Sequence, residues 1–436
     1  MIKRDDFMKV LVIGSGAREH ALAWKLTKST SVETVLAWPS SVAMATTVKT
    51  LPTSATNVFE CVDSALEEGV DLIVVGPEQP LAEGIGDYCQ KKKIPVFGPN
   101  QNGAKLESSK DFAKQMMSLA GIPTASHKTV TSFDDCLSVA KQMLRETGGT
   151  VIKASGLAGG KGVFVCKSEE DIEKGISRLK DSMKEAASTI VVEEILEGRE
   201  CSFFCMVGQG QAVPMGFAVD FKRLQDGDLG PNTGGMGCYT PVPWLPQNAD
   251  AMTMQLVVDP LLQTLKDQGI SYTGFLYVGL MWGEKGPQVV EFNVRLGDPE
   301  AQVLAVQDSS DWGVSMAKCA GLSVPDAGSG DDGGSQKALA VVLAGEGYPF
   351  EKPEADVPFL SDSLFANSSD EVFAFGASLK SRDQKIVPGA GRVLTVVAKG
   401  DSYESAYERA YEKVSEVTKD WPKVQFRKDI GKRLIP

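Results

Sequence analysis

The sequence KASGLAGGKGVFV, residues 153–165, places four glycines and two lysines between two apolar, strand-forming runs. Glycine lets the backbone turn through positive φ and lets another molecule approach the peptide groups closely, and lysine adds a mobile positive charge. This combination predicts a loop that covers a phosphate. The alternative is a plain hairpin turn whose lysines are solvated.

The overall charge argues against nucleic acid or an anionic membrane as a partner. Lysine and arginine total 45 against 57 acidic residues among 436, a formal charge of −12, and no block of like charges stands out. An acidic chain binds anions only through local cations and backbone N–H groups. Places where glycine and lysine occur together therefore gain weight as candidate sites.

Cysteine usage predicts a reduced, cytoplasmic protein. None of the eight cysteines forms a C-x-x-C pair, and the two histidines are too few to favour zinc. No apolar run is long enough to predict a membrane span, and the apolar stretch after the charged N-terminus is too short for a signal peptide. The length predicts two to four domains.

Residues 8–105 alternate short apolar runs with helical patterns, which predicts a doubly wound parallel sheet. The sequence GSGAREH, residues 14–20, follows the first strand and opens a helix, so Gly14 and Gly16 are candidate anion-binding residues. The third glycine of a dinucleotide fingerprint is replaced by Glu19, and the second strand ends in AWPS without an acid, which argues against NAD or FAD. A tight turn without a ligand remains the alternative.

Residues 106–125 predict a linker helix, capped by Ser108 or Ser109 and ending at Gly121. On it Lys110 and Lys114 lie one turn apart, and the ordinary interpretation of such a pair is a solvated face. Residues 126–192 predict a small α/β unit in which strands flank the glycine loop and a helix covers 169–187.

The stretch TIVVEEILEGRE, residues 189–200, predicts a hinge between two strands. A strand that ends in two acids and a hydrophobe, followed by a second strand that opens at Glu200, suits a hinge whose backbone meets an adenine while a carboxylate holds ribose hydroxyls. Exposed acids beside a turn are the alternative.

The stretch VVEFNVRLGDPEAQ, residues 289–302, ends an apolar strand with Glu291, Asn293 and Arg295 at alternate positions. A period of two places these side chains on one face of the strand. A carboxylate and an amide oxygen suit Mg²⁺, and an arginine beyond them suits an anion. A polar strand face turned to solvent is the alternative.

The stretch from 220 to 241 contains Asp220 and Lys222 ahead of the loop GPNTGGMG. Four glycines make this loop costly to order unless something orders it, so the loop is a candidate binding element. After the linker GSGDDGGS, residues 328–335, a last unit is predicted that includes a helix with a capping box of Asp401 and Glu404.

Taken in order, these features resemble those of the ATP-grasp ligases. The sequences of the individual motifs resemble the phosphoribosylamine–glycine ligase family. The matching stretches are VLVIGSGAREHALAWKL, GPEQPLAEGI, FGP, LESSKDFAKQMM, GIPT, VIKASGLAGGKGV, VVEEILEGRE, GPNTGGMG and EFNVRLGDPEAQ. They run through the whole chain from residue 8.

The resemblance implies an α/β fold with an N-terminal doubly wound parallel-sheet domain, ATP-grasp α+β domains with a small mobile lid, and a small C-terminal α+β domain. The boundaries expected are 8–105 for the N-terminal substrate-binding domain, 106–125 for the linker helix, 126–192 for the lid, 193–327 for the catalytic subdomain and 335–436 for the C-terminal domain. The reaction implied is the ATP-dependent joining of glycine to 5-phosphoribosylamine through glycyl phosphate, in de novo purine synthesis. ATP as co-substrate, Mg²⁺ or Mn²⁺, small-molecule partners only, and a monomer or weak dimer in the cytoplasm are expected.

The resemblance also implies roles for individual residues. Those expected at ATP are Lys110, Lys153, Gly156, Gly159, Gly160, Gly162, Glu193, Glu194, Ile195 and Glu200. Those expected at glycine and phosphoribosylamine are Gly14, Gly16, Asp220, Lys222, Asn232, Thr233, Gly234, Gly235 and Arg295. Lys161, Arg295 and Asp298 are expected at the reacting groups, and Glu291 and Asn293 at the metal.

The chain departs from the family pattern at a few positions. The family usually has Asp where Ser155 stands and His where Phe221 stands, and a C-terminal histidine is missing from VFAFGAS, residues 372–378. The change at Phe221 touches the expected substrate pocket. The rival interpretations are an ATP-grasp carboxylase that activates bicarbonate, a dinucleotide-binding or nucleotide-sensing protein, and an inactive homologue; intact Lys153, Glu291 and Asn293 argue against the last.

Overall fold

The computed structural model of the protein describes residues 7–156, 162–182, 189–325, 336–350, 358–366, 369–421 and 423–435. Within these residues, three sheets of four or more strands carry the fold. Among the described residues, no helix combines the length and the apolar character that crossing a bilayer requires.

The N-terminal sheet consists of five parallel strands. They are β1 Met8–Ile13, β2 Val32–Trp38, β3 Lys49–Thr50, β4 Leu72–Val75 and β5 Val96–Phe97, in the order β3-β2-β1-β4-β5. The helices between them are α1 Ala17–Leu26, α2 Val58–Glu67, α3 Glu78–Glu83 and α4 Ile85–Lys92. All four residues of β4 are buried, which is why this strand is a continuous apolar run. The predicted parallel-sheet domain is confirmed.

Two helices connect this sheet to the rest of the chain, α5 Gln101–Ser108 and α6 Lys110–Ala120. The side chain of Ser109 accepts a hydrogen bond from the N–H of Phe112 at 3.2 Å and so caps α6. Gly121 ends α6 with φ 67°, in the left-handed region that favours glycine. The predicted cap and helix end are thus observed.

A four-stranded antiparallel sheet with two helices contains the glycine loop. Its elements are β6 His127–Val130, α7 Phe133–Thr147, β7 Thr150–Ala154, β8 Val163–Cys166, α8 Glu169–Ser182 and β9 Ile190–Glu193, with the strands in the order β6-β9-β7-β8. Lys153 pairs with Val163 across β7 and β8, so the two ends of the glycine loop lie side by side. The helix predicted over 169–187 ends at Ser182 in the described part, and 183–187 lie outside the described residues.

The largest sheet has eight strands and joins the predicted catalytic and C-terminal units. The strands from here on are β10 Arg199–Gly208, β11 Gln211–Asp220, β12 Arg223–Gln225, β13 Leu229–Asn232, β14 Gly237–Thr240, β15 Gly274–Gly283, β16 Gly286–Asn293, β17 Lys337–Ala344, β18 Val372–Gly376, β19 Leu379–Arg382, β20 Lys385–Pro388 and β21 Arg392–Gly400. The order in the sheet is β16-β15-β10-β11-β14-β17-β21-β18. Because β17, β21 and β18 extend this sheet, the C-terminal unit is anchored directly beside the strands that carry the expected site.

The remaining helices are α9 Ala249–Thr253, α10 Asp259–Asp267, α11 Glu300–Gln307, α12 Trp312–Cys319 and α13 Tyr403–Thr418. The predicted capping box of Asp401 and Glu404 is wrong by one residue. Ser402 caps α13 by accepting from the N–H of Ser405 at 3.1 Å, and the hydroxyl of Ser405 accepts from the N–H of Ser402 at 3.2 Å. Two serines therefore fill the reciprocal roles that were expected of two acids.

All eight cysteines are free and buried, as the sequence predicts. Burial raises the pKa of Cys61 and of Cys89 to about 12, because a thiolate is poorly solvated there. These thiols are therefore core residues rather than nucleophiles.

His20 of α1 is a buried neutral side chain that ties the N-terminal domain to β18. Its Nδ1 accepts a hydrogen bond from the N–H of Gly376 at 3.0 Å, so the proton resides on Nε2, which lies 2.9 Å from the hydroxyl of Thr47. Burial lowers the pKa of His20 from 6.5 to about 3.

This geometry predicts a pH-dependent loss of stability. A group with a lowered pKa contributes its full stability above its unfolded pKa and loses it as the pH falls, so the loss should begin near pH 6.5. Between pH 7.5 and 5.5, the protonation of His20 should lower the free energy of unfolding by about 1.4 kcal/mol. Urea unfolding of the wild type and of His20→Gln at both pH values tests this, since the variant lacks the effect. A stability difference between the two proteins that stays constant with pH would contradict it.

Candidate active site

A cavity of about 330 Å³ lies where the N-terminal domain, the lid, the large sheet and the C-terminal unit meet. Its wall contains many of the residues that the sequence singled out: Lys110, Gly156, Asp220, Lys222, Thr233, Gly234, Glu291, Asn293, Arg295 and Asp298. Residues far apart in the chain are thus brought to one charged cavity.

Glu291 and Asn293 stand at the end of β16 with one residue between them, as a period of two predicts. The amide nitrogen Nδ2 of Asn293 donates to Oε1 of Glu291 at 3.3 Å. Burial alone would raise the pKa of Glu291, but the nearby Lys222 and Lys110 outweigh it and lower the pKa. The carboxylate is therefore held in its charged form at the cavity wall.

The donors at this strand end fit a hard divalent cation. A carboxylate and an amide oxygen are ligands that Mg²⁺ accepts, and Mg²⁺ usually takes only one or two carboxylates and completes its shell with water and substrate phosphates. In the described part of the chain, no cluster of three or more His, Cys, Asp or Glu side chains has the arrangement of a metal site. A cation here would therefore depend on ligands from the substrate as well as from Glu291 and Asn293.

Arg295, expected to clamp an anion, is already paired with two acids. Its Nη2 lies 2.9 Å from Oε1 of Glu107, and its Nε lies 3.4 Å from Oε2 of Glu78. Glu107 also accepts a hydrogen bond from the N–H of Val294 at 2.9 Å. The arginine thus joins the linker helix, the N-terminal domain and the strand end, and its charge is partly neutralised.

Neither acidic partner of Arg295 is predicted from the sequence. Glu78 directly follows β4 and a glycine-proline turn, so the rule that parallel strands present ligand groups at their carboxyl ends could have identified it. Glu107 precedes the capping serines of α6, and nothing in its spacing distinguishes it from a surface acid.

Lys153, Glu193 and Lys114 form a buried group of alternating charges. Each is at most 4% exposed, and Glu193 lies between the two lysines. Nζ of Lys114 lies 2.7 Å from Oε2 of Glu193, and Lys153 pairs with Oε1 of the same carboxylate. The interpretation of Lys114 as part of a solvated face is therefore wrong, whereas Lys110, one turn earlier, is half-buried and lines the cavity.

The other predicted hinge residues, Glu194, Ile195 and Glu200, contact three different parts of the protein. Oε1 of Glu194 accepts a hydrogen bond from the N–H of Ser126 at 2.9 Å, which ties the hinge to the start of the lid. Ile195 packs against Gly149, where a Cβ atom would lie 2.4 Å from Cδ1 of Ile195. Glu200 of β10 forms an ion pair with Lys222, which follows the end of β11.

Asp220 and Glu300 are acids at the wall of the cavity. Burial raises the pKa of Asp220, and the neighbouring Lys222 opposes this shift. Burial and the charge of Asp220 raise the pKa of Glu300 to about 8. The sequence analysis did not single out Glu300, which begins α11 and is 3% exposed.

The two candidate glycines after β1 serve the backbone turn. The N–H of Gly14 donates to the carbonyl of Trp38 at 2.9 Å, and the N–H of Gly16 donates to Oε2 of Glu19 at 2.8 Å. Glu19, which stands where a dinucleotide fingerprint would have glycine, thus fills the strand end with its own carboxylate. Neither N–H group is free for a ligand in this arrangement.

Two of the four predicted binding residues in the loop GPNTGGMG, Thr233 and Gly235, are held by hydrogen bonds of their N–H groups. The N–H of Thr233 donates to the carbonyl of Lys222 at 2.7 Å, and the N–H of Gly235 donates to the hydroxyl of Thr233 at 3.1 Å. Thr233 and Gly234 line the cavity, whereas Asn232 lines a neighbouring groove that also contains Arg433 of the C-terminal segment. Arg392 of β21, which the sequence analysis missed, also lines the cavity.

Part of the glycine loop lies within the described residues. Gly156 lines the cavity, and the carbonyl of Gly162 accepts a hydrogen bond from the N–H of Ala154 at 2.9 Å. Lys161, Gly159 and Gly160 lie outside the described residues. Beside the loop, the hydroxyl of Ser155 accepts a hydrogen bond from the N–H of Asp111 at 3.2 Å at the start of α6.

Three models of one family match consecutive parts of this chain. The phosphoribosylglycinamide synthetase N domain matches residues 8–107, the ATP-grasp (A) domain 108–301 and the C domain 338–433. The chain belongs to the phosphoribosylglycinamide synthetase family. The predicted ATP-grasp ligase of this family and its three-part α/β architecture are thereby confirmed.

Similar proteins agree with this family over nearly the full chain. The phosphoribosylamine–glycine ligase of Rhizobium meliloti (strain 1021) is 38% identical over 432 residues, which are 98% of this chain and 99% of that protein. The crystal structure of the phosphoribosylamine–glycine ligase from Thermotoga maritima has a TM-score of 0.77 and 30% identity, covering 97% of this chain and 99% of that one.

The carboxylase alternative shares only the fold. The biotin carboxylase domain of the 2-oxoglutarate carboxylase from Hydrogenobacter thermophilus has a TM-score of 0.69 at 18% identity, covering 96% of this chain and 92% of that one. The family match over all three parts of the chain decides against that alternative and against a dinucleotide-binding protein.

Proposed function

We propose that this chain joins glycine to 5-phospho-D-ribosylamine at the expense of ATP, giving glycinamide ribonucleotide, ADP and phosphate in de novo purine (IMP) biosynthesis. The observation that carries the proposal is one cavity whose wall contains Lys110, Glu291 and Asn293 together with Asp220 and part of the GPNTGGMG loop. Groups suited to a polyphosphate and groups suited to an amino acid and a sugar amine therefore share one cavity.

ATP lies, in this proposal, between the lid and the large sheet. Lys110 and Lys153 neutralise its phosphates. The glycine-loop residues Gly156, Gly159, Gly160, Lys161 and Gly162 are assigned to the same phosphates. The backbone of Glu194 and Ile195 borders the adenine, and Glu200 holds the ribose. The carboxylate of Glu193 holds Lys153 in place, which its buried ion pairs support.

The family's ATP chemistry requires a divalent cation, and we propose Mg²⁺ or Mn²⁺ at Glu291 and Asn293. When bound, such a cation lowers the charge that an incoming carboxylate must approach. The two side chains orient this site from the rigid end of β16, and the nearby lysines keep Glu291 deprotonated.

The reaction needs no side-chain nucleophile. The glycine carboxylate attacks the γ-phosphorus of ATP, ADP leaves and glycyl phosphate forms; the sugar amine then attacks the carbonyl carbon, the amide bond forms, and phosphate leaves. Positioning and neutralised charge are the main requirements of such steps. Arg295, Asp298 and Lys161 border the transferred phosphoryl group, and the amine loses a proton to water or to a cavity carboxylate.

The two other substrates lie on the opposite side of the cavity. We assign them to Asp220, Lys222, Asn232, Thr233, Gly234 and Gly235, with Arg295 between them and ATP. Gly14 and Gly16 shape the strand end that borders this side. We also propose the domain division given above, a monomer or weak dimer, and a cytoplasmic location, which the eight buried free thiols favour.

Release of phosphate from ATP tests the function directly. The reaction is measured with glycine and freshly generated 5-phosphoribosylamine, and each is omitted in turn. We expect phosphate release to require both substrates and to be matched by glycinamide ribonucleotide. Release without either substrate, or with bicarbonate in their place, would contradict the proposal.

A further inference from the structure

Arg392, at the start of β21, reaches from the C-terminal unit into the wall of the active-site cavity. Its Nη1 donates to the carbonyl of Gly234 at 2.7 Å and to the carbonyl of Asp298 at 2.5 Å, and its Nη2 donates to Oδ2 of Asp298 at 3.1 Å. A single guanidinium therefore contacts the glycine-rich loop and the segment that follows β16.

The glycines of the loop are required for this approach. A Cβ atom on Gly234 would lie 3.0 Å from Cζ of Arg392. Gly235 has φ +114°, and a Cβ atom there would lie 2.7 Å from Cδ of Pro299. The pair of glycines thus lets the loop pack directly on Arg392 and on the segment containing Asp298, which explains part of its unusual composition without a ligand.

A second residue of the C-terminal unit holds the same point of the loop. The hydroxyl of Tyr348 accepts a hydrogen bond from the N–H of Gly234 at 3.0 Å. The two peptide groups of Gly234 are therefore both bonded to side chains of the C-terminal unit. Asp298 is fixed on its other side by Gln302, whose Nε2 donates to Oδ1 at 2.8 Å.

We propose that Arg392 is a positioning residue for the ligation: it fixes the distance between the GPNTGGMG loop and Asp298, so that the pocket for glycine and phosphoribosylamine is assembled. This inference rests on the proposed function of that pocket. A planar guanidinium can donate in several fixed directions at once, whereas a lysine ammonium acts as a point charge. The C-terminal unit thereby takes part in building the substrate pocket.

This role of Arg392 predicts that its loss affects the binding of the three substrates unequally. Arg392 holds the loop and Asp298, whereas Lys153 and Glu193, assigned to ATP, are anchored by each other and by Lys114. Loss of Arg392 should therefore loosen the side of the cavity that receives glycine and phosphoribosylamine, together with Asp298 at the transferred phosphoryl group. The ATP-binding contacts at Lys153 and Glu193 should stay intact. Small misplacements of reacting groups cost rate steeply.

The test compares Arg392→Gln, Arg392→Lys and the control Arg409→Gln. Arg409 lies in the same C-terminal unit and also pairs with an acid and a carbonyl, Glu371 at 2.9 Å and Lys399 at 2.7 Å, but on α13. We measure KM for each substrate, kcat, and the affinity for a non-hydrolysable ATP analogue by calorimetry. We expect Arg392→Gln to raise KM for glycine or phosphoribosylamine by about tenfold and to lower kcat, with ATP-analogue affinity within about twofold of wild type.

Two further measurements test the role of Arg392: the activity of Arg392→Lys, and the rescue of Arg392→Gln by guanidine. Arg392→Lys should recover only part of the loss, and added guanidine should partly restore Arg392→Gln, since the side chain lies at the cavity wall. If Arg392→Gln does not fold, Tyr348→Phe and Arg392→Lys are compared by the same substrate-resolved kinetics. Unchanged KM values, or equal losses for ATP and the other substrates, would overturn the role. A wild type that turns over without glycine would instead overturn the proposed function.

Discussion

Glu291→Gln should lower the rate of ligation by about 100-fold or more while leaving the fold nearly unchanged. The amide has the shape of the carboxylate but lacks the negative charge, and metal-held phosphate contacts contribute several kcal/mol to transition-state stabilisation, where about 1.4 kcal/mol corresponds to tenfold. The neighbouring Lys222 and Lys110 lower the pKa of Glu291, so the wild-type side chain is charged at neutral pH. Initial rates of phosphate release over a range of Mg²⁺ concentrations measure the effect.

The exposed Glu284 supplies a matched control for this prediction. It lies in the turn between β15 and β16, on the same hairpin as Glu291 but at its opposite end. Glu284→Gln removes the same charge from the same element, and we expect it to have wild-type rates. If Glu291→Gln keeps wild-type turnover at saturating Mg²⁺, the cation is held elsewhere in the cavity.

The strand face that carries Glu291 shows what the sequence alone could predict. Alternation along β16 depends only on local backbone geometry, so the shared face of Glu291 and Asn293 followed from their spacing. The same holds for the cap of α6 at Ser109 and for the parallel sheet at the N-terminus. Local backbone geometry and sequence motifs thus predict the helices and strands, and the resemblance to the ligase family predicts how they assemble.

The pairing of charges could not be predicted in this way. Arg295 and Glu107 are separated by almost two hundred residues, and only the packing of α5 against β16 brings them to 2.9 Å. Arg392 reaches the active-site loop because β21 extends the large sheet, which no local pattern indicates. Helical spacing favours a solvated Lys114 because it does not show which face of α6 the lid covers. Such partners depend on tertiary contacts, which periodicity does not encode.

Glu193→Gln should reduce the free energy of unfolding by about 3–5 kcal/mol, the range found when one member of a buried ion pair is removed. The amide would leave Lys114 and Lys153 charged side by side, each at most 4% exposed, without the carboxylate that lies between them. Burial alone would raise the pKa of Glu193, but Lys153 and Lys114 outweigh it and lower the pKa. Chemical unfolding at neutral pH measures the loss.

A second substitution separates the two roles assigned to Glu193. If the carboxylate anchors both lysines, adding Lys114→Met to Glu193→Gln should recover part of the lost stability, because one unpaired charge is removed. Glu194→Gln is the control. The carboxylate of Glu194 accepts one hydrogen bond, from the N–H of Ser126, so this substitution should lower the free energy of unfolding by only about 1 kcal/mol. If Glu193 instead faces the adenine, as the resemblance implies, Glu193→Gln should have wild-type stability and weakened ATP binding. That result would mean that Glu193 recognises the nucleotide directly and that the lysines do not depend on it.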